Sequence, residues 1–242
     1  MRWTMVGERC CVALLLAWLV WIPLPFGSVI DRARIALIVI PIALCIVTAL
    51  LRIAGTRGQI ERTRAWRIWT IGAILFFAIG ALQLVPLPRS ILAVISPDSA
   101  AIWDRATHLA SLAGAHPSSM HPISLDPAAT LLELFRIASL FAVFQTSAML
   151  IRAHTRRFVL ASTLCLVAIF ETLYGVREAA LGTYSIWGWK NTLIFNRVTG
   201  TFVNPNHFAH YIAIILPMAL FLAALSWHHV DARDVPFARR FV

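Results

Sequence analysis

The sequence predicts an all-α fold: a polytopic integral membrane helical bundle of about six transmembrane helices with both termini in the cytoplasm. Three observations predict it. Hydrophobic residues make up 60% of the chain and the mean hydropathy is +0.78, well above a soluble domain. The apolar runs are continuous rather than alternating, which selects helices over a barrel. The basic residues gather at the ends of those runs.

Six stretches are long enough to cross a bilayer core, which takes about 20 helical residues. They are residues 10–29, 35–53, 68–87, 131–151, 158–176 and 208–227. The first follows Arg2 and Arg9 and resembles a signal-peptide h-region. Pro-Leu-Pro-Phe-Gly-Ser is a poor cleavage site, however, so an uncleaved signal anchor is expected. Pro86 and Pro88 close the third span. The loop 88–129 that follows is rich in Pro, Ser, Ala and His. Within it, residues 102–113 suit an amphipathic helix lying on the membrane with Trp103 as anchor. Asp126 before Pro127 is the natural N-cap of the fourth span. The second long loop, 177–206, carries Tyr184, Trp187 and Trp189, which suit an interfacial segment. Trp66, Trp69 and Trp227 mark the opposite interface. The chain has no internal repeat and forms a single transmembrane domain, 1–242.

The net charge of +10 would fit nucleic acid, but its distribution does not. Arg2, Arg9, Arg52, Arg57, Arg62, Arg64, Arg67, Arg152, Arg156, Arg157, Arg233, Arg239 and Arg240 fall on one side of the bundle. Arg32, Arg34, Arg89, Arg105, Arg177, Lys190 and Arg197 are spread over the longer loops of the other side. By the positive-inside rule the crowded side is cytoplasmic, and the charge sets topology and touches anionic lipid. Cys10 and Cys11 are adjacent, and Cys45 and Cys165 lie within spans, so no disulfide framework is expected. No Walker, GxGxxG, GxSxG or HExxH motif is present.

One segment concentrates chemistry-bearing residues: Arg197-Val-Thr-Gly-Thr-Phe-Val-Asn-Pro-Asn-His-Phe-Ala-His-Tyr211. Asn204 is a good N-cap and Pro205 a good first helical residue. Gly200 lets backbone approach a ligand closely, with Thr201 beside it. Arg197 offers a bidentate donor for phosphate oxygens. A helix N-terminus adds unpaired N–H groups and partial positive charge. Two readings follow: a capped helix with a surface arginine, or an anion site at the outer leaflet. His207 and His210 share a helix face, but nothing in the segment completes a metal site, so hydrogen bonding is the simpler role. Glu133 and Arg136 are spaced for an i,i+3 ion pair; alternatively Arg136 lines the same outward cavity as Arg197. Glu171 then partners one of these arginines or handles a proton. His108, His116 and His121 read as solvated loop residues.

These residues resemble the O-antigen ligase and polymerase-like family of bacterial envelope proteins. The resemblance rests on Arg197-x-x-Gly200-Thr201-Phe202-x-Asn204-x-Asn206-His207-Phe208-Ala209-x-Tyr211. Supporting it are Gln83-Leu-Val-Pro-Leu-Pro88, Ser96-Pro97, Ser124-x-Asp126-Pro127-x-x-Thr130 and Glu171-x-x-Tyr174-Gly175. It covers residues 10–226 and looks like the family's N-terminal half. It implies an inner-membrane protein that moves a glycan from an undecaprenyl-diphosphate carrier to an acceptor on the outer face. The acceptor would be lipid A–core, another glycan or a protein. It also implies metal-independent inverting transfer with no cofactor, arginines on the diphosphate and a histidine base in a large loop. Arg197 matches the motif arginine; Arg136, Gly200, Thr201, Asn204, Asn206 and His207 are the further carrier-binding candidates. No histidine here matches the base, because the family's catalytic loop lies beyond the sixth span. The chain is then the N-terminal part of a larger architecture, or a non-catalytic module that binds lipid-linked glycan or scaffolds polysaccharide assembly.

Overall fold

The computed structural model describes residues 2–55, 64–190 and 196–234. Arg57, Arg62, Arg239 and Arg240 lie outside them, as do the side chains of Arg2, Arg64, Trp66, Arg67, Trp227 and Arg233. The fold is all-α. Its helices are α1 (Arg2–Trp21), α2 (Asp31–Ala54), α3 (Arg64–Leu82), α4 (Arg89–Ile95), α5 (Pro97–Leu112), α6 (Pro127–Leu150), α7 (His154–Ala180) and α8 (Pro205–Asp234). Two short antiparallel pairs join them: β1 (Leu87–Pro88) with β2 (Met120–His121), and β3 (Ser185–Ile186) with β4 (Trp189–Lys190).

Among the described residues, four helical segments are long and apolar enough to cross a membrane: α2, α6, α7 and the Pro205–Ala224 part of α8. Six were expected. α1 begins at Arg2 rather than residue 10 and stops at Trp21, ahead of Pro23 and Pro25. It carries Glu8 and Arg9 in its first half, so its uninterrupted apolar part is short. The apolar stretch of α3 is confined to Ile68–Leu82. Its expected continuation to residue 87 turns instead into β1. The outward faces of the long helices are apolar: Ile35, Val39, Ile46 and Ile53 on α2, and Ile214, Leu220 and Phe221 on α8, are all exposed. A water-soluble surface would not tolerate such patches, and lipid requires them.

The chain divides into two compact units, residues 1–55 with 141–242, and residues 56–140. In the first, α1 packs on α2 and α7, and α7 on α8. Cys11, Leu15 and Trp18 recur at helical spacing on α1 and form a core with Leu44, Leu150 and Ile151. The end of α6 is closed by arginines. Arg52 donates to the Met149 carbonyl at 2.5 Å and pairs with Glu8 at 3.5 Å. Arg156 donates to the Leu150 carbonyl at 2.7 Å. These cations satisfy carbonyls that a helix C-terminus leaves open. Arginines read as topology signals thus also cap a helix.

The second unit holds most of the 88–129 loop in regular structure. Pro97 opens α5, which begins well before the expected residue 102. Trp103 is held within the loop: it stacks on His121 at 4.6 Å and donates Nε1–H to the Pro122 carbonyl at 3.0 Å. His121, expected to be solvated, is therefore held by an aromatic partner. Asp126 caps α6 as the sequence suggests, accepting from the Ala129 N–H at 2.9 Å. Arg89 clamps Asp104 with a bidentate pair, Nε–Oδ1 2.9 Å and Nη2–Oδ2 2.6 Å, tying α4 to α5. The guanidinium holds the Asp104 carboxyl below the ordinary carboxylate range. A carboxyl lowered by folding stabilises the fold above its unfolded pKa and loses that contribution as pH falls through the folded value. Titrating ¹³C-labelled aspartate carboxyls by NMR should show Asp104 protonating below the ordinary aspartate range on acidification. Arg89→Gln should raise its midpoint.

Candidate functional site

The Arg197 segment lies at the opposite end of the first unit from Arg52 and Arg156. The C-terminal end of α7, the turn after α1 and the start of α8 meet there. Asn204 is the α8 N-cap: its Oδ1 accepts the Asn206 N–H at 2.8 Å. Pro205 opens the helix, where its missing N–H costs nothing. Asn206 and His207 in the first turn are exposed, as is His210. Arg197 is exposed and makes no ion pair among the described residues.

Gly200 and Thr201 face the other way. Thr201 is 0% exposed, and so is Glu171 of α7. The Thr201 N–H donates to Glu171 Oε2 at 2.7 Å. The Thr201 hydroxyl lies 2.8 Å from Glu171 Oε1 and 2.7 Å from the carbonyl of Pro23, in the turn after α1. Gly200 takes a left-handed φ of +56°, and a Cβ there would sit 2.5 Å from Glu171 Oε2. The close approach this glycine allows is therefore to Glu171. One turn along α7, Gly175 lies directly against the Gly200 backbone; a Cβ on it would meet Gly200 N at 2.8 Å. Glu171 and Gly175 thus form one face of α7 that grips the loop, and the partner of Glu171 is Thr201 rather than an arginine.

No protein-family model, curated protein or solved structure matches the chain. The site therefore rests on its own geometry and on the motif within it.

A second cluster steadies the same end. Glu178, in the last turn of α7, accepts from the Thr183 and Ser185 hydroxyls, each at 2.6 Å, and pairs with Arg177. This fixes the β3–β4 hairpin, whose tip is Trp187-Gly188, both at positive φ. Trp187 donates Nε1–H to the Leu24 carbonyl at 2.8 Å and lies 5.0 Å from the Tyr174 ring. It remains 52% exposed, so an aromatic ledge adjoins the loop. Trp189 meets Phe26 edge-on at 5.8 Å. Below the clamp, an apolar groove of 240 Å³ runs between α7 and α8, lined by Cys165, Ala168, Ile212, Ile215 and Ala219 among others.

Arg136 belongs to the second unit, where it forms an ion pair with Glu133 on the same helix. Sequence reasoning did not single out Pro23 or Glu178; Gly175 entered only within the Glu171-x-x-Tyr174-Gly175 motif, and Trp187 only as an interfacial aromatic. The Glu171-x-x-x-Gly175 spacing did carry a signal, since residues four apart share a helix face. The Trp-Gly pair between alternating residues signals a hairpin turn.

Proposed function

We propose that this chain is an O-antigen ligase-like protein of the bacterial inner membrane, acting in cell-envelope polysaccharide biosynthesis. In this reading it grips the diphosphate of an undecaprenyl-diphosphate-linked glycan at the outer surface. The glycan then passes to lipid A–core, another glycan or a protein. The observation that carries the reading is an exposed Arg197, with no ion pair among the described residues, on a clamped loop that leads into the capped N-terminus of α8. Its guanidinium can take two phosphate oxygens at once. Asn206 and His207 are exposed in the first turn of α8, where the helix end favours anions. Neutralising diphosphate stabilises it as a leaving group. The isoprenoid would lie along the apolar groove between α7 and α8. Gly200, Thr201 and Asn204 act by shaping the loop rather than by facing the ligand.

A second reading is a carrier-binding module without turnover. It is favoured by the make-up of the site, since an exposed arginine and a helix N-terminus are groups that hold an anion. Carrier binding by the chain alone, with no transfer when acceptor is added, would select it.

Both readings put the α8 N-terminus outside the cytosol. A cysteine at Asn206 should therefore react with a membrane-impermeant maleimide in intact spheroplasts. A cysteine at exposed Trp3, near the start of α1, should react only after permeabilisation. The reverse pattern would refute both readings.

A further inference from the structure

The Glu171–Thr201–Pro23 node contains more acceptors than donors. Thr201 offers two protons, one on its amide and one on its hydroxyl. The amide proton goes to Glu171 Oε2. The single hydroxyl proton faces two oxygens, the Pro23 carbonyl at 2.7 Å and Glu171 Oε1 at 2.8 Å. It can serve only one of them. With an ionised Glu171, two oxygens would sit at hydrogen-bond distance with no proton between them.

No described group supplies the missing proton: the Tyr211 hydroxyl on α8 is buried and interacts with Glu171 only through space, making no hydrogen bond. Glu171 is 0% exposed, so water does not solvate it. None of the ion pairs among the described residues involves it. Among the described residues, each element packed against it presents neutral groups: Pro23 from the turn after α1, Gly200 and Thr201 from the loop, Phe208 and Tyr211 from α8, and Cys165 further along α7. A buried carboxylate with no cation is the most expensive state available to this side chain.

We propose that Glu171 is a neutral carboxylic acid, and that its proton is the missing donor of the node. Oε1–H donates to the Thr201 hydroxyl, that hydroxyl donates to the Pro23 carbonyl, and the Thr201 amide donates to Oε2. Every group then has its partner. The three-link relay ties α7, the turn after α1 and the Arg197 loop together without placing a charge at membrane depth. Glu171 is a positioning residue in this account: it sets the loop and touches no ligand. The assignment stands whether or not the loop binds a lipid carrier.

Glutamine is the isostere of this neutral acid, with an NH₂ to donate to Thr201 Oγ1 and a carbonyl to accept from its amide. Glu171→Gln should therefore melt with the wild type in lipid nanodiscs. Glu171→Ala should melt earlier and expose the Thr201 amide to faster hydrogen exchange. The direct readout needs only the wild-type chain. The sequence holds five glutamates, Glu8, Glu61, Glu133, Glu171 and Glu178. With ¹³C-glutamate, infrared spectra at neutral pH should show one protonated-carboxyl C=O band among carboxylate bands, absent in Glu171→Gln. A wild-type spectrum with no protonated-carboxyl band would overturn the proposal. So would a Gln variant as unstable as the Ala variant, because a carboxylate rather than an acid would then be holding the node.

Discussion

Gly175→Ala should destabilise the chain by about 1–3 kcal/mol, the usual cost of an extra methyl in a packed site. The added Cβ would lie 2.7 Å from Val198 Cγ1 and 2.8 Å from the Gly200 backbone nitrogen. Val198 can rotate away, but the Gly200 backbone cannot move without dragging Thr201 off Glu171 and Pro23. That would strip partners from buried groups, each worth about 1–3 kcal/mol when left unsatisfied. The internal control is Gly72 on α3, where a Cβ would meet nothing within 4 Å. Gly72→Ala should be neutral or stabilising by up to about 1 kcal/mol through helix propensity. Denaturant melts of both variants in matched detergent check the contrast. Equal effects would show that the packing of α7 against the loop is not what the distances imply.

Arg197→Ala should weaken carrier binding roughly 10–100-fold while leaving folding and insertion intact. A hydrogen bond to a charged group contributes about 1.5–3 kcal/mol, and each 1.4 kcal/mol is about tenfold in affinity. Arg197 is exposed and makes no ion pair among the described residues, so its removal strands no described buried charge. Arg197→Lys should recover only part of the loss, because a point charge cannot reproduce the planar two-pronged contact. Titration of nanodisc-embedded protein with a polyprenyl-diphosphate glycan measures both. Thermal melts that match the wild type would separate a binding defect from a folding one.

The all-α membrane class was legible because lipid demands long apolar runs, and those runs survive in any reading of the sequence. Helix ends set by local chemistry were also legible: Asn204 and Asp126 cap α8 and α6 through their own next turn. What escaped was what depends on contacts distant in sequence. Thr201 meets Glu171 30 positions away and Pro23 178 positions away, and no local pattern encodes either meeting. Trp103 looked like an anchor for the same reason, since its partner His121 lies beyond the end of its own helix. The extent of α1 was misjudged because apolarity runs through Pro23 and Pro25, whereas the helix does not. Gly200 was rightly singled out as a place of close approach. The sequence could not say that the group approached is a carboxyl of the same chain.

The central claim is that the Arg197 loop recognises a lipid-linked diphosphate. It is tested most directly by comparing the wild-type chain's affinity for undecaprenyl-diphosphate and for undecaprenyl-monophosphate in nanodiscs of fixed lipid composition. The account predicts clear preference for the diphosphate, abolished by Arg197→Ala. Equal affinity for the two lipids, or a preference that survives Arg197→Ala, would contradict it.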